Sequence, residues 1–334
     1  VYDGRIKHVV DIIKENRTYD EIHGDDPRGN GDASLCTVGE KIMPNHRKIA
    51  REWTLFDNGY VSGTNSADGH SWSTQSIAND YEELMYVGGY PRSYPDEGND
   101  AMGYSSKGFL WSLAERHGKS VRVYGEFMNA DVAEFSPRKP KDWFEAWEDY
   151  KNGGKVFTYR PKPEVASLER VANKRVHYWP LLQSDQARAD EFIREQEEFR
   201  KAKKIPNLSI LTLPTDHTEG VDKDYPTPRA MMADNDLALG RVVEYLTKRP
   251  EWMNTAIFVI EDDAQSGPDH VDGHRTNYMV LTPYNRGNRV DSELYTTCNM
   301  IRSIELMLGL PPMNRFDALA RPIEAPFGKT ADLT

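Results

Sequence analysis

Short apolar runs, rich in β-branched residues and bounded by turn residues, recur at Ile6–Ile13, Ser120–Tyr124, Leu208–Leu213, Thr255–Ile260 and Tyr278–Thr282. Runs of this kind predict buried strands. Between them the spacing becomes helical: Leu239, Val242, Val243 and Leu246 share one face, as do Met300, Ile304, Met307 and Leu308. Strands alternating with helices predict an α/β fold, an αβα sandwich whose central sheet is largely parallel. Ala187–Lys204 reads as a charged helix, with pairs such as Glu197 and Lys201 suited to a solvated face. From about residue 126 to 186 the periodicity fades, while Trp143, Trp147, Tyr150, Tyr159, Tyr178 and Trp179 accumulate. This stretch reads as an irregular insertion over the sheet edge within a single domain, 1–334. Its aromatics either form a local core or shape a cleft.

Four of the runs end in polar residues: Lys14-Glu15-Asn16, Gly125-Glu126, Pro214-Thr215-Asp216-His217 and Glu261-Asp262-Asp263. In a parallel sheet the C-terminal ends lie on one edge, so these distant groups converge where α/β folds bind ligands. The fourth run leads into a cluster of carboxylates and imidazoles, with Asp269, His270, Asp272 and His274 following within one loop. Carboxylates this close repel unless a cation or shifted pKa values relieve them. The sequence thus favours a divalent metal site over an ordinary acidic loop. Glu15 and Asn16 offer hard oxygen ligands of the kind magnesium, calcium and manganese prefer, or a turn cap in which Asn16 alone is engaged.

The segment GTNSADGHSWST places Ser66 in a loop of small residues before a predicted helix. No Gly-x-Ser-x-Gly elbow surrounds it, which disfavours an ordinary serine hydrolase. Activation by a metal suits the carboxylate-rich setting, and a simple turn serine is the alternative. His70 either orients this loop or meets a phosphate oxygen. Asp216 and His217 offer a metal ligand or a proton carrier, and Arg275 either holds a phosphate oxygen or neutralises the acidic loop.

Composition narrows the classes. A net charge of −11 over 334 residues disfavours nucleic acid as a partner. No run of about eighteen apolar residues exists to cross a membrane. Mean hydropathy is −0.72, which points to long polar loops, while 10% aromatic content argues against disorder. Cys36 and Cys298 match no zinc-finger spacing and are either bridged or two free thiols. A first residue almost inside a strand suggests a processed product or a domain of something longer.

Taken together, ENRTYDEIHGD, GDASL, SADGHSWST, LPTDHTEG, TPRAMMADNDLALGRVVEYL, FVIEDDAQSGPDHVDGHRT and LYTTCNMIRSIELMLGLPP resemble the phosphoesterase family of the alkaline phosphatase superfamily. That family includes bacterial acid phosphatases and phospholipases C, and the resemblance is closest to a branch often fused behind a YVTN-type β-propeller. It implies an alkaline phosphatase-like fold, a small phosphorylated substrate, an extracellular or periplasmic setting and an upstream propeller domain or subunit. Ser66 matches the nucleophile that forms a phosphoseryl intermediate. Glu15 with Asn16, and Asp262 with Asp263, match metal-binding pairs, with Ser66 and Asp216 as further metal ligands. His217 and His270 are candidates to protonate the leaving group, while His70, His274 and Arg275 are candidates for binding phosphate.

One departure bears on metal number. Two-zinc members of the superfamily carry an Asp and a His four residues apart, but here Gly220 follows Asp216 at that distance, and Asp263 stands where a histidine is expected. The oxygen-only ligand set predicts one hard cation, calcium first, with manganese, magnesium or zinc as alternatives. A phosphomonoesterase is the expected activity. The rivals are a phospholipase C-type phosphodiesterase and a secreted metal-binding protein without turnover. No Cys/Ser-x-Pro-x-Arg string surrounds Ser66 or Cys36, which disfavours a sulfatase.

Overall fold

The apolar run that begins at His8 forms the middle of the molecule. In the computed structural model, which describes residues 1–85, 89, 100–130, 134–264 and 267–333, a mixed sheet holds six strands. They are β1 (His8–Lys14), β2 (Val121–Gly125), β3 (Ala172–His177), β4 (Leu208–Leu213), β5 (Thr255–Glu261) and β6 (Met279–Leu281). Their spatial order is β6-β5-β1-β4-β2-β3, and every pairing except β5 with β6 is parallel. The sheet is thus largely parallel, as expected, with its last strand as the exception. A short edge strand can reverse because, among the described residues, no crossover helix separates it from β5.

Six helices cover the sheet or carry site residues: α1 (Pro44–Glu52), α2 (Ser66–Gln75), α3 (Leu110–Arg116), α4 (Asp185–Lys201), α5 (Pro228–Thr247) and α6 (Thr297–Leu308). Strand alternation divides the core between two faces. Val9 and Ile13 join Phe258 and Ile260 against α3 and α6. Val10 and Ile12 join Leu211 and Val259 against residues of α1, α4 and α5. The chain is therefore an αβα sandwich. Among the described residues no helix is long and apolar enough to cross a membrane.

Within the expected insertion, residues 131–133 lie outside the described residues. The rest contains β3, which the polar string ANKRVH hides: Lys174 and Arg175 face solvent on this edge strand while its other residues are buried. Trp143 and Trp147 stack at 5.1 Å and pack near Phe135 and Leu182 as a local core. Helix α4 is less solvated than its charge suggests, since Arg188 is fully buried on Asp185 at 3.0 Å. Cys36 and Cys298 are both free thiols.

A buried acid on α6 makes stability depend on pH. Burial, then the hydrogen bond and charge of Asp317, push the Glu305 carboxyl up to about 9 from 4.5. The fold therefore keeps a proton that the unfolded chain releases above about 4.5. This contribution is fully present below that pH and is lost as pH rises through about 9. Glu305→Gln, which stays neutral, is expected to make the decline in melting temperature across that window shallower than in the parent. Identical slopes in the two proteins would show that Glu305 does not hold the proton.

Candidate active site

Strand register assembles the site. Lys14 lies beside Glu261 across β1 and β5, and the amide of Asp262 donates to the Lys14 carbonyl at 2.9 Å. The next residues of each strand, Glu15 and Asp262, are therefore neighbours despite their separation in sequence. Asn16 follows at φ 50°, a left-handed turn that asparagine tolerates better than most residues. Its side-chain nitrogen donates to Asp263 at 2.7 Å, which leaves its oxygen buried and without a partner.

Ser66 arrives from the other side of the cluster. Asn65 caps α2 by accepting the Ala67 amide at 2.9 Å, and Asp68 returns the bond by accepting the Asn65 amide at 2.8 Å. This capping box makes Ser66 the first helical residue rather than part of the preceding loop. Close approach of the helix depends on Gly69, where a β-carbon would sit 2.5 Å from the Asp262 carbonyl oxygen. The Ser66 hydroxyl then lies 3.3 Å from Glu15 and 3.2 Å from Asp263.

His70, one helical turn further on, is 2% exposed and lies beneath the carboxylates. Its Nδ1 is 2.8 Å from Glu126, and its Nε2 is 3.1 Å from Glu15 and 2.9 Å from the Tyr178 hydroxyl. Tyr178 also donates to Glu15. Burial opposes charge on the imidazole, yet Glu126, Glu15 and Asp262 raise its pKa well above the ordinary value. Glu15 is also buried, but the hydrogen bond and charge of His70 hold it below the usual carboxylate range. Asp262 moves the other way. Burial, then the charges of Asp263 and Glu15, lift it well above the ordinary range, and both its carboxylate oxygens are buried without a hydrogen-bond partner.

These orphaned oxygens are the physical test of whether a cation fits. Three carboxylates and an amide oxygen face one another with too little positive charge, and burial makes such a set costly unless compensated. Glu15, His70 and Asp262 each bring a ligand atom within 4.8 Å of the others. The donor set suits a divalent cation. It also departs from the oxygen-only expectation, because an imidazole nitrogen stands in the cluster.

Several expected site residues serve elsewhere. Asp216 accepts the buried Lys14 ammonium at 2.6 Å, while its other oxygen accepts the Glu15 amide at 3.2 Å. It braces the cluster from behind instead of facing a cation. Arg275 is fully buried, held by Asp269 at 3.0 Å and Asp20 at 3.1 Å above the Tyr19 ring, and turns no donor to a phosphate. His270 spends Nδ1 on Asp20 at 2.6 Å and Nε2 on Asn30 at 3.3 Å. His274 pairs with exposed Asp272 at 2.9 Å. His70, expected at a phosphate oxygen, has both nitrogens engaged.

His217 is half-buried, with its Nδ1 2.7 Å from the Thr218 carbonyl. Two participants have no role that the sequence assigns. Glu126 is visible there only as a polar strand end, and Tyr178 only as one of the insertion's aromatics, because the strand leading to it is hidden.

A second acidic group, Asp20 with Asp269 and His270, also brings ligand atoms within 4.8 Å. There Arg275 already supplies the positive charge.

Comparisons agree with this geometry at the level of family and fold. The phosphoesterase family model matches residues 33–311, so the pair Glu15 and Asn16 precedes the matched region. Comparison with curated proteins returns no match. Among solved structures, an alkaline phosphatase superfamily protein from Vibrio parahaemolyticus is similar at TM-score 0.55 and 16% identity, covering 96% of this chain and 71% of that one. A sulfatase from Pseudoalteromonas sp. aligns at TM-score 0.59 and 11% identity, covering 98% and 73%. The lipoteichoic acid synthase LtaP from Listeria monocytogenes aligns at 0.53 and 11%, covering 93% and 74%. At these identities the likeness concerns the fold. Matched over most of its length, the chain belongs to the phosphoesterase family, on an alkaline phosphatase-like fold.

Proposed function

We propose that the protein is a metal-dependent phosphoric-ester hydrolase, a phosphomonoesterase with Ser66 as nucleophile. The observation that carries this reading is the Ser66 hydroxyl set between Glu15 and Asp263 at 3.3 and 3.2 Å, beside the partnerless oxygens of Asn16 and Asp262. Glu15, Asn16, Asp262 and Asp263, with Ser66, would hold the cation, which when bound supplies the charge that lowers the hydroxyl pKa and neutralises phosphate oxygens. His70, clamped between Glu126 and Glu15, orients Glu15 and offsets its charge. Ser66 Oγ bonds to phosphorus as the phosphorus–oxygen bond to the leaving alcohol breaks, and water later cleaves the phosphoseryl ester. His217 is favoured over His270 as proton carrier because its Nε2 has no partner among the described residues, whereas both His270 nitrogens are engaged. An upstream β-propeller and an extracellular or periplasmic setting belong to the same reading, supported by the motif resemblance.

One hard cation is expected, calcium first and manganese or magnesium next. Asp216, His270 and His274 are committed to other partners, so little remains to build a second site. Elemental analysis of protein purified without chelator should give one equivalent of metal per chain. Aryl phosphate hydrolysis should vanish with chelator and return on adding that metal, and a phosphocholine diester should be cleaved more slowly. Two stoichiometric zinc ions would overturn the single-cation reading, and preference for the diester would overturn the monoesterase.

A further inference from the structure

We infer that Trp179 contacts the substrate and takes the organic group of the ester, an inference that rests on the function proposed above. The insertion's other tryptophans, Trp143 and Trp147, stack on each other in a local core of which Trp179 is no part. It follows Tyr178, whose hydroxyl donates to Glu15, and the two rings lie 5.8 Å apart at 50°. Main-chain bonds hold the segment: Tyr178 donates to the Met128 carbonyl at 2.8 Å and Ala130 donates to the Trp179 carbonyl at 2.9 Å. From beneath, fully buried Arg188 donates to the carbonyls of His177 and Tyr178, both at 3.0 Å.

The half-buried indole meets His217 edge-on at 5.1 Å and 85°. Its N–H has no hydrogen-bond partner among the described residues. His217 is itself fixed, because Arg17 donates to the carbonyls of Asp216 and His217 at 2.7 and 3.2 Å. Thr218 adopts φ 63° and ψ 172°, a conformation that costs a β-branched residue strain, and its carbonyl receives His217 Nδ1. Strain held in place by surrounding bonds at a candidate site is a mark of positional demand. The result is a fixed wall with a flat apolar ring, one free N–H and one free imidazole nitrogen. Such a wall has no cation to spare for phosphate, since Arg17 is committed to carbonyls and to Glu21 at 3.1 Å. It suits the other half of the molecule: an aryl or similarly flat apolar alcohol esterified to phosphate.

Binding separates this role from mere support of the fold. In Ser66→Ala protein with excess Ca²⁺, phenyl phosphate and inorganic phosphate are titrated calorimetrically, with no turnover to confuse them. Trp179→Ala in that background is expected to weaken phenyl phosphate about tenfold while inorganic phosphate stays within about twofold. Trp179→Leu, which fills most of the volume beside His217, carries the same expectation if the alanine variant fails to fold. Equal weakening of both ligands makes Trp179 a structural residue and overturns the inference, as does unchanged affinity for phenyl phosphate. If Ser66→Ala protein binds neither ligand, the functional reading falls and this inference with it. Phosphate binding that persists while phenyl phosphate ignores Trp179 defeats the inference alone.

Discussion

Ser66→Ala is expected to cut aryl phosphate turnover by about 10³-fold or more while the melting temperature stays within about 2 °C of the parent. The two effects separate because the hydroxyl does little structural work. Its bonds to Glu15 and Asp263 are long, at 3.3 and 3.2 Å, and the helix start is capped by Asn65 instead. Loss of the oxygen removes the atom that must bond to phosphorus, which no neighbouring group can replace. Acid quenching during turnover followed by mass spectrometry should find a phosphate on Ser66 in the parent and none in the variant. Full turnover by the alanine protein would remove Ser66 from the mechanism.

The largest stability effect should come from Lys14, one residue before Glu15. Lys14 is fully buried, with its ammonium 2.6 Å from Asp216 and 2.7 Å from Glu261, both also buried. Burial, then the charge of Asp216, raises the Glu261 pKa well above its ordinary value, and the ammonium also donates to the Asp216 carboxylate. Lys14→Met would leave that carboxylate uncompensated in the core, at a cost of about 3–5 kcal/mol. Asp216→Asn in the same chain removes the stranded charge, and the double variant is expected to recover a large part of the loss. Urea denaturation of the parent, both single variants and the double variant measures the coupling. A Lys14→Met protein within about 1 kcal/mol of the parent would show that the group is not desolvated as described.

The two variants also probe different layers of one assembly. Asp216 accepts the Glu15 amide at 3.2 Å, so the buried ion pair supports the backbone from which Glu15 projects. Disturbing Lys14 should therefore lower activity through displaced groups, whereas Ser66→Ala lowers it through a missing atom. Metal content distinguishes them: it should fall in Lys14→Met protein more than in Ser66→Ala protein.

Local pattern determined the strands of the core, because a buried strand must be apolar whatever surrounds it. Leu208–Leu213 and Thr255–Glu261 were legible for that reason, and their polar ends followed from the parallel order. The same order made Glu15, Asp262, Asp263 and Ser66 readable as one group, with motif resemblance supplying Ser66. The edge strand Ala172–His177 escaped because exposed lysine and arginine interrupt its apolar positions, and with it went any sign of Tyr178 beside Glu15. The destinations of the remaining charges were decided only in three dimensions. Composition shows that Asp216, His270 and Arg275 can ligate, transfer a proton or bind phosphate. Which of these each does depends on the partner that reaches it first: Lys14 for Asp216, Asp20 for His270, and Asp269 with Asp20 for Arg275. A buried charge must find its counter-charge among residues far away in sequence, and only the tertiary packing chooses which one.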